Sequence, residues 1–174
     1  APPAGAYGPP LLDLDAVAER YRRLLELGRR MGVTPQLEIW GGSANLFKLS
    51  QAAYVIVESG DPDACGLFDV FHIYRGGSDF DGLAHFSGRS MHVFHVNDYP
   101  ADPPRTSIQD SHRVFPGDGI APLGEIFGIL RRIGFRGALS LELFNPAYWN
   151  DDPATTARTG LEKMRRAAES SPAT

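Results

Sequence analysis

Acid and imidazole side chains close four short apolar segments of this chain: Glu38 in residues 36–40, Asp69 and His72 in 67–77, His95 in 91–98, and Glu142 in 138–144. Carboxylate oxygens and imidazole nitrogens are the donors that divalent cations take, so each segment carries a metal-competent side chain. The set contains no thiolate, which argues against an electron-transfer or structural zinc role. Three carboxylates and one imidazole make a hard, anionic site suited to Mn, Mg or Co and tolerable to Zn. A lone Glu or His at a strand end is commonly just capped or solvated. Four of them in consecutive units point instead to one site.

Elements that could position these residues follow from periodicity. Apolar residues recur at helical spacing from Asp13 to Arg30 (Leu14, Val17, Ala18, Tyr21, Leu24, Leu25, Leu27), and Gly32 follows as a stop. A strand ending at Glu38 precedes a helix over about 46–58. The apolar run 67–77 reads as a buried parallel strand delivering Asp69 and His72, followed by a short helical stretch near 79–86. A strand over 90–96, a long polar loop over 97–120, a helix over 122–133, a strand over 138–143 and a last helix over 153–169 complete the order. Strand–helix alternation calls for a parallel sheet covered by helices, with right-handed crossovers. In such sheets functional groups gather at the carboxyl ends of the strands, where these side chains fall. The loop 97–120 is too long for a mere connection and is suspect as part of the site.

With 174 residues, 43% of them hydrophobic and 22% charged, the chain suits one globular domain. A net charge of -4 and no basic run give no footprint for nucleic acid. No segment approaches a membrane span, and residues 1–5 lack the features of a signal peptide, so a cytoplasmic protein is expected. Residues 1–11 read as a loop and 170–174 as a tail. Cys65, at the head of a buried strand, reads as a small core residue. His85 and His92 read as structural.

The pattern of Glu, Asp-x-x-His, His-x-x-Asp and Glu at successive strand ends resembles the xylose isomerase-like barrels. Phe94-His95-Val96-Asn97-Asp98-Tyr99-Pro100, Arg113-Val114-Phe115-Pro116-Gly117-Asp118-Gly119 and Leu139-Ser140-Leu141-Glu142-Leu143-Phe144-Asn145-Pro146 look like the sugar phosphate isomerase/epimerase branch in particular. The resemblance implies an α/β chain corresponding to part of a (β/α)8 TIM barrel, its last four strand–helix units plus the preceding helix. It implies Glu38, Asp69, His95 and Glu142 as ligands of a divalent metal, with His72 touching substrate and Arg113 holding a substrate oxygen. Asp110 and His112 resemble an Asp-x-His that takes a second metal in a related branch, or could meet substrate. Asp98 could orient His95 or cap its own loop, and Trp40, Phe144, Tyr148 and Trp149 could wall a sugar ring or fill the core.

What the family does implies a sugar or polyol substrate, with Glu38 and Glu142 carrying a proton next to a carbonyl through a metal-stabilised enediolate. Alternatives are a dehydratase of the inosose or dehydroshikimate type on the same scaffold, or a non-catalytic sugar- or metal-binding module. An abasic-site nuclease fits the charge poorly. A half-barrel would leave two sheet edges open and an inner face, led by Leu37, Phe68, Phe94 and Leu141, uncovered. A homo-oligomer is therefore expected.

Overall fold

The computed structural model describes residues 10–170; most of the expected loop at 1–11 and tail at 170–174 lies outside them. Helix α1 (Leu14–Met31) starts at Asp13, whose side chain accepts from Asp15 N–H, and stops at Gly32 with φ 69. It buries Ala18, Tyr21, Leu25 and Gly28; of the stripe expected from sequence Ala18, Tyr21 and Leu25 are buried, whereas Leu24 and Leu27 are exposed. Strand β1 (Leu37–Glu38), helix α2 (Leu49–Glu58), strand β2 (Gly66–Asp69), helix α3 (Val70–Gly76), strand β3 (Val93–Val96), helix α4 (Leu123–Arg132), strand β4 (Ala138–Leu141) and helix α5 (Pro153–Glu169) follow. All strand pairs are parallel and the order is β1-β2-β3-β4, so consecutive strand–helix units lie side by side.

The long central strand expected over 67–77 is two elements. Asp69 accepts a hydrogen bond from the backbone N–H of His72 at 2.9 Å, an N-cap that turns the chain into α3 directly at the strand end. Gly77, at φ 77, closes that helix. An apolar run of this length does not separate a buried strand from a buried helix, so periodicity alone could not place the break. His72 therefore projects from the first turn of a helix. Likewise the helix expected from 46 begins at Leu49, and the strand expected from 90 begins at Val93 after a 3-10 turn at Gly88–Ser90.

The faces of the sheet are also assigned by register. Phe68 pairs with Phe94 and Asp69 with His95; Leu37, Phe68 and Phe94 are buried. They lie on the face covered by the helices, where Phe68 packs on Phe86 in a tilted pair at 4.6 Å and Phe94 meets Phe135 edge-on. The opposite face carries Glu38, Leu67, Asp69, Val93, His95 and Ser140, so the expected inward role of Leu37, Phe68, Phe94 and Leu141 is overturned. Side chains alternate across a strand, and the ligand set and the large apolar residues occupy opposite parities. Gly76 permits a close approach at the site end: a Cβ there would stand 1.9 Å from the Phe47 carbonyl oxygen. Among the described residues no helix is long and apolar enough to cross a membrane.

Candidate metal centre

Each strand ends at or within one residue of a residue singled out above. Glu38 closes β1, Asp69 closes β2, His95 lies in β3, and Glu142 follows β4 directly. Their side chains converge. His95 Nδ1 faces Glu142 Oε2 at 3.5 Å, Asp69 Oδ2 at 3.6 Å and Glu38 Oε1 at 4.0 Å. That nitrogen is buried yet makes no hydrogen bond. A buried, unpartnered imidazole nitrogen ringed by three carboxylates is unfavourable for the protein alone. Donors that share one divalent ion at ~2.1 Å stand roughly 3.0–3.5 Å apart, close to these separations. The donor set therefore fits a divalent ion, with Glu38, His95 and Glu142 grouped tightly enough to hold it.

Charge sets the protonation of these groups. Burial opposes ionisation of Asp69, but Arg113 and His95 outweigh it and hold the carboxyl at about 2. Burial also disfavours charge on His95, yet the facing Asp69 and Glu142 carboxylates push it up to about 9. The two glutamates move apart: burial and the charge of Glu142 raise Glu38, whereas His95 lowers Glu142. Environments that separate two carboxylates in this way suit acid and base duties.

Beneath the carboxylates lies Arg113, fully buried. Its Nη1 donates to Asp69 Oδ2 and Glu142 Oε2, both at 3.0 Å, while Nε donates to Asp110 Oδ1 at 3.1 Å. Its Nη2 meets Asp110 Oδ1 at 2.5 Å and His72 Nε2 at 2.9 Å. The guanidinium lies between the Phe71 and Phe144 rings, 4.7 and 5.2 Å from their centroids. Arginine only donates, so His72 Nε2 is an acceptor and its proton sits on Nδ1, which is buried without a partner. Burial and the charge of Arg113 lower the pKa of His72 against the opposing pull of the Asp69 carboxylate.

The other residues considered from sequence fall in various places. Asp110 belongs to Arg113. His112 Nδ1 accepts from Gln109 N–H at 3.0 Å in an exposed 3-10 turn. Among the described residues neither joins a metal-capable cluster. Asp98 does not contact His95. It is buried and accepts from four backbone N–H groups, those of Tyr99, Gly117, Gly119 and Ala121. Trp40 meets His72 edge-on, Phe144 covers Arg113, and Tyr148 packs on Phe115, while Trp149 is largely exposed. His85 and His92 are exposed and outside the site, and Cys65 is buried, as expected.

Sequence reasoning gave no role to Asn97. Its Nδ2 donates to Asp69 Oδ2 at 3.0 Å and its Oδ1 accepts from Phe71 N–H at 3.0 Å, tying three strand ends together with a longer contact to the Glu142 carbonyl. An amide at the end of a strand, two residues beyond His95, was the available signal.

Comparison with known proteins gives a consistent picture. The family model described as xylose isomerase-like TIM barrel matches residues 3–167. An inosose isomerase of Bacillus velezensis is 32% identical over 146 residues, 83% of this chain and 52% of that protein. A 3-dehydroshikimate dehydratase of Pseudomonas aeruginosa is 28% identical over 163 residues, 92% of this chain and 25% of that protein. The chain spans about half the length of the inosose isomerases it matches. Among solved structures, the IolI protein with a bound zinc atom superposes with TM-score 0.85 at 23% identity, covering 92% of this chain and 58% of that one. An L-ribulose 3-epimerase superposes with TM-score 0.75 at 20% identity, over 96% of this chain and 59% of that one.

Proposed function

The chain belongs to the xylose isomerase-like TIM barrel family, and on that premise we propose that it carries the metal-binding part of a sugar or polyol isomerase/epimerase. The observation that carries this reading is the buried His95 Nδ1 with three carboxylates around it and no hydrogen bond of its own. Glu38, Asp69, His95 and Glu142 would hold a divalent ion: Mn, Mg, Co or Zn. When bound, the ion polarises a substrate carbonyl and an adjacent hydroxyl.

The protein groups do the rest. Glu38 and Glu142 reach the site from the first and last strands of the sheet. Glu38, whose raised pKa makes it the stronger base, takes a proton from the carbon beside the carbonyl in its ionised form, and Glu142, whose lowered pKa makes it the readier donor once it has taken a proton from solvent, returns one on the other side. His72, neutral with its proton on Nδ1, offers that N–H to a substrate oxygen. The resemblance to inosose isomerases makes an inosose or ketose the first substrate to try. With Mn or Co and such a substrate in deuterated water, the C–H beside the carbonyl should exchange, and the product should keep its water. Loss of water would assign a dehydratase instead. Metal binding without any exchange would leave a binding module.

The fold carries a proposal of its own. We read the four units as part of a (β/α)8 barrel within a single domain. Among the described residues β1 and β4 pair on one side only, and Leu24, Leu27 and Met31 on α1 and Leu161 on α5 are exposed. In the 174-residue chain alone a second copy would close the open face and cover these residues. Sedimentation should therefore show a dimer or larger species at micromolar concentration. A compact, cooperatively melting monomer would end this proposal.

A further inference from the structure

Arg113 and a bound cation would draw on the same atoms. The oxygens that accept from Arg113 Nη1, Asp69 Oδ2 and Glu142 Oε2, are those facing His95 Nδ1 at 3.6 and 3.5 Å. Asp69 Oδ2 also accepts from Asn97, so both of its in-plane lone pairs are engaged by protein donors. An ion binding to that oxygen must displace one of them. Asn97 is neutral and anchored at its other end by Phe71 N–H, whereas Arg113 carries the charge that a divalent ion repels. Its remaining nitrogens, Nε and Nη2, stay seated on Asp110 and His72.

We propose that Arg113 is a displaceable counter-cation: it holds Asp69 and Glu142 in position when the ion is away, and yields their oxygens when the ion binds. The proposal rests on the metal-centre reading above. It makes Arg113 a positioning residue first. Its Nη1 N–H groups become available to a substrate oxygen only after metal has entered, so metal and substrate load in that order.

A purely structural arginine and a displaceable one differ in the sign of an effect. If Arg113 only braces the carboxylates, removing it weakens metal binding. If it competes, removing it strengthens binding while lowering stability without the ion. The test is titration of the full chain with Co(II), and thermal melting in chelator, for the parent, Arg113→Met and Arg113→Lys. Arg113→Met keeps an apolar stem between Phe71 and Phe144. It should bind Co(II) about tenfold more tightly, as expected for loss of one cation beside the site, and melt below the parent in chelator. Equal or weaker Co(II) binding overturns the proposal. Should Arg113→Met fail to fold in chelator and with Co(II), Arg113→Lys decides, because its shorter ammonium cannot span both carboxylates: tighter binding than the parent supports the proposal, and equal or weaker binding overturns it. A parent that binds no Co(II) removes the metal-centre reading and this one together; a parent that binds, with variants no tighter, removes this one alone.

Discussion

Glu142→Gln is expected to lower turnover by about two to four orders of magnitude, the range for loss of one acid–base group, while leaving the fold intact. Gln has nearly the same shape, and only the charge and the proton-carrying oxygen are lost. Glu142 serves twice in the proposed mechanism, as metal donor and as proton carrier, and its Oε2 lies 3.0 Å from Arg113 and 3.5 Å from His95. A second signature follows from linkage. The charge of Glu142 helps raise the Glu38 carboxyl, so removing it should let Glu38 ionise at lower pH and move the acidic limb of the rate profile down. Steady-state rates across pH, with metal saturating, check both. Turnover within tenfold of the parent would end the two-glutamate mechanism.

The second large effect concerns the long loop. Asp98→Ala should destabilise the chain by about 2–4 kcal/mol, because the buried N–H of Tyr99 and the partly buried or exposed N–H groups of Gly117, Gly119 and Ala121 lose their shared acceptor at once. For a chain of this size that corresponds to a fall in Tm of roughly 10 °C. Asp98→Asn, which keeps one acceptor oxygen, should lose less. Gly119 marks how tight the arrangement is: a Cβ there would stand 2.4 Å from Asp98 Oδ1. Thermal melts of the two variants test the idea, and a change of less than about 2 °C in Asp98→Ala would show that the loop is held by something else.

These two acids show what a sequence reveals of such a site. Glu38, Asp69, His95 and Glu142 were legible because each closes an apolar run, and parallel topology places all such ends together. The helices were legible from their stripes, α1 down to its glycine stop. The strand ending at Asp69 was not, since the next seven residues are as apolar as the strand and only the cap shows the break. Nor was the choice of face for Phe68 and Phe94, which depends on which parity the helices cover. Asp98 and Asn97 follow His95 within three residues, yet one anchors the loop and the other the Asp69 carboxylate. That division depends on where backbone N–H groups 19 to 26 residues away come to rest, which local pattern does not encode.

The register of β2 against β3 has a consequence for how such a chain can change over generations. Phe68 faces Phe94 and Asp69 faces His95, so neighbouring residues on each strand serve the apolar layer and the polar site in turn. Inserting or deleting one residue inside either strand would bury a carboxylate or imidazole under the helices and set a phenylalanine among the polar side chains of the site. Stability and chemistry would fail through the same single event, and neither could be restored without the other. Differences in length between descendants of this chain are thereby confined to the connections, such as the largely exposed residues 101–107, which lie ahead of the buried Ile108 and Arg113 and of the Gly117, Gly119 and Ala121 N–H groups that Asp98 holds.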